Sequence, residues 1–185
     1  MNRQIRAALA MHDFFFENLK LNYAVIGGIA LQFWGEPRFT HDLDLTVEDR
    51  LNLRELVTAT TQAFGSRVPD PYRFARQHRM LLLTVEGVPV DVALALHGYE
   101  ESLFRRSHPV EIEPGRLIRL CSAEDLVIHK AISPRPQDLA DLEGVIYRQR
   151  GRLDVRYVRS WLRKFSSALD NPEILARFEQ AYAKR

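Results

Sequence analysis

Hydrophobic and polar positions change period several times along this chain. Over residues 3–19, Ile5, Leu9, Phe15, Phe16 and Leu19 recur near helical spacing and predict an amphipathic helix. Tyr23-Ala24-Val25-Ile26 is a short apolar run of strand length ending in Gly27-Gly28, and Ile29–Trp34 predicts a short helix stopped by Gly35 and Pro37. Asp42-Leu43-Asp44-Leu45-Thr46-Val47 alternates polar and apolar, as a strand does, and residues 50–64 return to helical spacing. Apolar runs on either side of Glu86-Gly87, Met80–Glu86 and Val88–Ala93, predict a β-hairpin. Val110–Glu113 and Leu117–Leu120, around Pro114-Gly115, predict a second. Ser122 is a good helix N-cap with Asp125 three residues on, and the remainder is helical with breaks near Ser133-Pro134-Arg135-Pro136, Gly151 and Asn171-Pro172. The pattern therefore predicts an α/β (α+β) protein, a mixed β-sheet flanked by helices over residues 1–121. A C-terminal helical region over 122–185 is expected to pack on it.

Composition narrows the class. With 185 residues, 46% hydrophobic and 27% charged, the chain has the makeup of a folded globular protein and excludes disordered or collagen-like structure. The single Cys121 excludes an internal disulfide framework and a Cys-clustered zinc site. No apolar run has the length of a membrane span, and the start, Met1-Asn2-Arg3-Gln4-Ile5-Arg6, lacks a signal-peptide core. A cytoplasmic protein with no membrane partner is expected. The net charge of +2 does not argue for nucleic acid, but a local basic patch can bind phosphate where the average cannot: Arg148, Arg150, Arg152, Arg156, Arg159, Arg163 and Lys164 face only Asp154 over residues 145–164. Arg156, Arg159 and Arg163 share one face of a predicted helix, an arrangement equally that of a solvated helix face; if RNA is a substrate, its backbone would lie there.

The candidate chemistry lies in three carboxylates. Asp42 and Asp44, two apart on a predicted strand, leave the same face, as on an amphipathic edge strand. Asp91 interrupts the apolar run Val88-Pro89-Val90 to Val92-Ala93-Leu94, where a carboxylate is costly unless paired or metal-bound. If the two strands are neighbours, the three converge. Two such charges about 5 Å apart cost roughly 3 kcal/mol at an effective dielectric near 20, and Mg²⁺ suits the resulting cluster of hard oxygens. Gly27-Gly28, between a strand and a helix and with 13 residues between it and Asp42, is placed to bring backbone N–H groups to phosphate, with Arg38 and Thr40 completing a triphosphate cradle. Together these parts describe phosphoryl or nucleotidyl transfer.

The segments Ile26-Gly27-Gly28-Ile29-Ala30-Leu31, Gly35-Glu36-Pro37-Arg38-Phe39-Thr40 and Asp42-Leu43-Asp44-Leu45 resemble the Gly-Gly and Asp-x-Asp signature of nucleotidyltransferases, specifically the AbiEii/AbiGii-type group. The resemblance continues through Val90-Asp91-Val92, Ala123-Glu124-Asp125-Leu126, His129-Lys130 and Arg135-Pro136-Gln137-Asp138-Leu139-Ala140-Asp141. It implies a polymerase-β-like nucleotidyltransferase fold with Asp42 and Asp44 as metal ligands and Asp91 as a third ligand or the general base. It further implies that Lys130 contacts the nucleotide and that Asp138 is the later acidic motif residue. On this resemblance the protein moves a nucleotide from an NTP to RNA, such as the acceptor end of tRNA, as the toxin of a toxin–antitoxin pair with a cognate antitoxin encoded beside it.

Two other readings compete: an antibiotic-modifying nucleotidyltransferase, and a catalytically idle fold used as a binding module. From the residues alone, Lys130 reads as a solvated helix lysine, and Asp138 with Asp141 as an exposed acidic edge pairing with Arg135. His41 abuts Asp42, but none of the six histidines has metal-ligand spacing.

Overall fold

The computed structural model describes residues 2–96 and 98–184. Six strands, β1 (Tyr23–Val25), β2 (Leu43–Val47), β3 (Met80–Val85), β4 (Val88–Leu94), β5 (His108–Glu113) and β6 (Arg116–Leu120), form one mixed sheet in the order β3-β4-β2-β1-β6-β5. The helices are α1 (Arg3–His12), α2 (Gly27–Trp34), α3 (Leu53–Phe64), α4 (Pro71–His78), α5 (Tyr99–Arg106), α6 (Ala123–Ile132), α7 (Pro136–Arg148), α8 (Val155–Ala168) and α9 (Glu173–Ala183). Among the described residues no helix is long and apolar enough to cross a membrane.

The chain divides into two compact units. The first takes the residues up to Ile29 and Phe39–Cys121, and thus the whole sheet with α1, α3, α4 and α5. The second takes Ala30–Arg38 and the residues from Ser122 onward. The crossings fall at 29/30, inside α2, at 38/39 and at 121/122, so the stretch Ala30–Arg38 belongs by its contacts with the C-terminal helices rather than with its sequence neighbours.

In the first unit both predicted hairpins form, β3 with β4 and β5 with β6, each antiparallel. Strand β2 lies inside the sheet, antiparallel to β1 and parallel to β4, so the edge-strand expectation is replaced by a central one. Its burial explains the position: Leu43, Leu45 and Val47 are wholly buried, and alternate positions of β4 (Val88, Val90, Val92, Leu94) and β3 (Leu81, Leu83, Val85) share that covered face. The opposite face carries Asp44, Asp91 and Leu82, all only partly covered.

The helix predicted over 3–19 divides at Asp13 into α1 and a π-helical turn, Asp13–Asn18. There Leu19 N–H reaches Phe14 O at 3.0 Å, a wider turn across three consecutive phenylalanines. Phe15 is fully buried, Phe14 packs edge-on against Phe64, and Phe16 stacks on His12. Two helices stand where the periodicity suggested no element. For α4 there was a readable start, Asp70-Pro71, and Asp70 Oδ1 accepts the Arg73 N–H at 2.9 Å.

The second unit follows its predicted breaks. Ser122 caps α6, accepting the Asp125 N–H at 3.1 Å and donating to Asp125 Oδ2 at 2.6 Å. Tyr157 on α8 donates to the other Asp125 oxygen at 2.7 Å. The unit's core comes from Leu126, Val127 and Ile128 on α6, Leu142, Val145 and Ile146 on α7, Val158 and Leu162 on α8, and Ile174 and Phe178 on α9.

Candidate active site

Asp44 and Asp91 are register partners on the adjacent parallel strands β2 and β4. Directly paired residues project from the same face, so the two carboxylates meet on the less covered side of the sheet, about one strand spacing, ~4.8 Å, apart at their backbones. Asp42 stands immediately before β2, and Thr40 Oγ1 donates to its Oδ1 at 2.7 Å. Thr40 is itself fastened by α1, whose Gln4 Nε2 donates to the Thr40 carbonyl at 3.0 Å.

The two glycines lie beneath these side chains. Gly27 opens α2 in the left-handed region, with φ +61°, and a Cβ there would stand 2.8 Å from Asp44 Cβ and 2.7 Å from its Cγ. A Cβ on Gly28 would stand 2.6 Å from Thr40 Oγ1. Ile26 N–H also donates to the Asp44 carbonyl at 2.9 Å, tying the end of β1 to β2 at this level. Gly-Gly therefore does something the sequence did not suggest: it makes room for Asp44 and Thr40. The first turn of α2 begins against the Asp44 carboxylate, and a helix N-terminus is a favourable place for negative charge.

Arg67 is a component that the sequence reading missed. It lies in the segment after α3, where its N–H donates to the Leu82 carbonyl at 2.8 Å on the outer strand β3. Its guanidinium reaches across β3 to form an ion pair with Asp91. Leu82 is the register partner of Asp91, so Arg67, Leu82, Asp91 and Asp44 form one line across the sheet. Nothing in local spacing links positions 67 and 91; only the strand order does.

The second unit holds a separate ionic cluster. Lys130 Nζ lies 2.5 Å from Asp138 Oδ1 and 2.8 Å from Asp141 Oδ2, and all three side chains are at least nine-tenths buried. Asp138 Oδ2 also accepts from Ser133 Oγ at 2.6 Å and pairs with Arg135. Arg38 grips Asp141 with both Nε and Nη2, each at 2.9 Å. The exposed acidic edge expected of Asp138 and Asp141 is thus corrected: both carboxylates are interior and charge-compensated. Pro134 and Pro136 separate α6 from α7 in the way that brings Lys130 and Asp138 together, with Pro136 in the first turn of α7. Burial works against ionisation of Asp138, but hydrogen bonds from Lys130, Ser133 and Arg135 outweigh it and hold the carboxyl at about 2. Asp141 is lowered in the same way, burial again opposing and Arg38 and Lys130 prevailing.

Of the arginines expected to meet RNA, Arg159 is committed to Glu179 on α9 through two hydrogen bonds of 2.7 and 2.8 Å, while Arg156 and Arg163 are exposed on α8. His41 is exposed and lies edge-on to Phe39.

The carboxylate oxygens of Asp42 and Asp44 are the hard donors a divalent cation such as Mg²⁺ takes, and Gly27 keeps Asp44 against a helix N-terminus rather than in a closed core. Among the described residues, however, no three His, Cys, Asp or Glu side chains are gathered around one point. Asp44 and Asp91 are brought side by side, whereas Asp42 turns to Thr40 and Asp91 to Arg67.

A family model described as nucleotidyltransferase of unknown function (DUF6036) matches residues 5–183, and the chain belongs to that family. Its fold is the nucleotidyltransferase fold. It is similar to the solution structure of the antibiotic-resistance factor ANT(2'')-Ia, with a TM-score of 0.58 and 20% identity over 90% of this chain and 93% of that one. It is also similar, with a TM-score of 0.45 and 15% identity over 93% of this chain and 91% of that one, to an antigenic nucleotidyltransferase-like protein from Paracoccidioides brasiliensis. None of the curated proteins matches this chain.

Proposed function

We propose that this protein is a divalent-metal-dependent nucleotidyltransferase that moves a nucleoside monophosphate from an NTP to a hydroxyl acceptor. The observation that carries the reading is the register pairing of Asp44 with Asp91 on the open face of the sheet, with Gly27 seating Asp44. Membership of a nucleotidyltransferase family supports it. In the reaction the acceptor oxygen bonds to the α-phosphorus, the bond to the β-phosphate's bridging oxygen breaks, and pyrophosphate leaves with that electron pair. Asp42 and Asp44 are the residues that would hold Mg²⁺, which when bound would neutralise charge on the phosphates. Asp91 either joins them as a ligand or takes the acceptor's proton. Gly27 and Gly28 open the backbone of α2 toward phosphate, and Thr40 orients Asp42. Within the second unit, Asp141 pairs with Arg38 and Lys130, and Asp138 with Lys130, which holds these two cations in fixed positions.

The acceptor we propose is RNA, tRNA in particular, which would make the protein the toxin of a toxin–antitoxin pair. The AbiEii/AbiGii-like segments around Gly27-Gly28, Asp42-x-Asp44 and Lys130 to Asp141, and the exposed Arg156 and Arg163, support that reading. The test is label transfer from each of four α-labelled NTPs with Mg²⁺. Acceptors are total RNA, purified tRNA and, for the competing reading as an antibiotic-modifying enzyme, a panel of aminoglycosides. Label appearing on tRNA and vanishing with Asp44→Ala is the expected result. Transfer to a drug instead would refute the RNA assignment, and absence of both transfer and NTP binding would refute the enzymatic reading.

A further inference from the structure

We infer that Arg67 is a substrate-binding residue of this site: it holds the place of a cation on Asp91 in the free protein and passes to the nucleotide's phosphates when metal and nucleotide arrive. The inference rests on reading Asp42, Asp44 and Asp91 as a nucleotidyltransferase centre. Its first support is the shape of the contact. The Arg67 N–H is fixed to the Leu82 carbonyl at 2.8 Å, and the turn that contains it is stiffened by Ser66 Oγ, which donates to the Val68 carbonyl at 3.0 Å and accepts the Val68 N–H at 3.1 Å. With its backbone held at the outer edge of the sheet, the side chain spans β3 and ends on Asp91 in β4. Asp44 is one strand further along the same line.

The second support is electrostatic. Asp44 and Asp91 sit side by side and repel, and the Arg67 guanidinium supplies positive charge at this point. A divalent cation on these carboxylates and a guanidinium on Asp91 are alternatives, because each raises the cost of the other at such spacing. The third is accessibility. Arg67 is 32% exposed and Asp91 30% exposed, so the pair is open to water and exchanges readily, unlike the buried Lys130 cluster. A guanidinium displaced from a carboxylate finds an equivalent fork of acceptors in a phosphate group.

Counter-ion and phosphate ligand together predict effects of opposite sign. Binding is measured on the full chain by titration calorimetry with Mn²⁺ alone, and then with a non-hydrolysable NTP analogue in saturating Mg²⁺. For Arg67→Met, Mn²⁺ alone should bind about fivefold more tightly, as the competing charge is gone. The nucleotide analogue should bind about tenfold more weakly, as a charge-assisted phosphate contact is lost. Arg67→Lys keeps the charge and should restore most of the nucleotide affinity. If the Met variant folds poorly, Arg67→Gln, which also removes the charge, should show the same two shifts, and unchanged affinities in it would overturn the inference equally.

Unchanged affinities for both ligands in Arg67→Met would overturn the inference and leave Arg67 as a clamp on the segment after α3. Tighter Mn²⁺ binding with unchanged nucleotide affinity would overturn the phosphate role. If the unmutated protein binds neither Mn²⁺ nor nucleotide, the centre itself has been misread and the inference falls with it. That failure is distinguishable because Asp44→Ala would then also change nothing.

Discussion

Removing one charge from the buried cluster of the second unit gives a sharp test of how that cluster works. Asp138→Asn keeps the side chain's size but leaves Lys130 with Asp141 alone, which Arg38 already grips at 2.9 Å through two donors. Breaking a buried ion pair by removing one partner costs about 3 kcal/mol, because the surviving charge stays desolvated. For a chain of this length that lowers Tm by about 6–12 °C at pH 7.

The acid dependence is the more specific part of that prediction. The folded-state pKa of Asp138 is about 2 against an ordinary 3.8, so ionised Asp138 contributes about 2 kcal/mol of stability above the ordinary value. A depressed carboxyl loses that contribution as pH falls, so it is present at pH 5 and largely gone near pH 2. The gap in stability between the parent and Asp138→Asn should therefore narrow by about 2 kcal/mol over that window. Asp141 is lowered as well, but it remains in both proteins. Urea unfolding at pH 7, 5, 3.5 and 2.5 reads the gap directly. A constant gap across the series, or a variant as stable as the parent at pH 7, would refute the account of this cluster.

Gly27→Ala should destabilise by about 2–5 kcal/mol, since Ala at φ +61° is strained and its methyl would overlap Asp44, and thermal unfolding checks it. Arg159→Ala should lower Tm by no more than about 4 °C, because the Arg159–Glu179 pair is open to solvent and worth at most about 1 kcal/mol. If RNA is the acceptor, Arg156→Ala and Arg163→Ala should each reduce the slope of log affinity against log salt by about one, measured by filter binding, with no change in fold by circular dichroism.

Much of the scaffold was legible in the sequence because its elements carry local signals. The hairpins at Glu86-Gly87 and Pro114-Gly115, the Ser122 cap and the proline breaks all state their structure within a few residues. Asp91 was singled out by its cost in an apolar strand, and its register with Asp44 follows the neighbour relation on which that argument depended. What was not legible depends on strand order and on side chains meeting over long separations. Arg67 reaches Asp91 only because β3 lies outside β4, and Arg38 meets Asp141 across more than a hundred residues. The interior position of Asp138 and Asp141 was missed for a related reason. Helical spacing places them on one face of α7 but does not say that Lys130 lies opposite. Gly27-Gly28 was recognised as a backbone opening, yet its neighbours, Asp44 and Thr40, come from later segments.

Asp42 and Asp44 are proposed to form a divalent-metal and nucleotide centre. Crystals grown with Mn²⁺ and a non-hydrolysable NTP analogue, measured at a wavelength where manganese scatters anomalously, test it most directly. The expected result is an anomalous peak within coordination distance of carboxylate oxygens of Asp42 and Asp44, with phosphate oxygens on the same ion. Nucleotide bound away from these residues, or manganese absent from them while nucleotide is present, would contradict it.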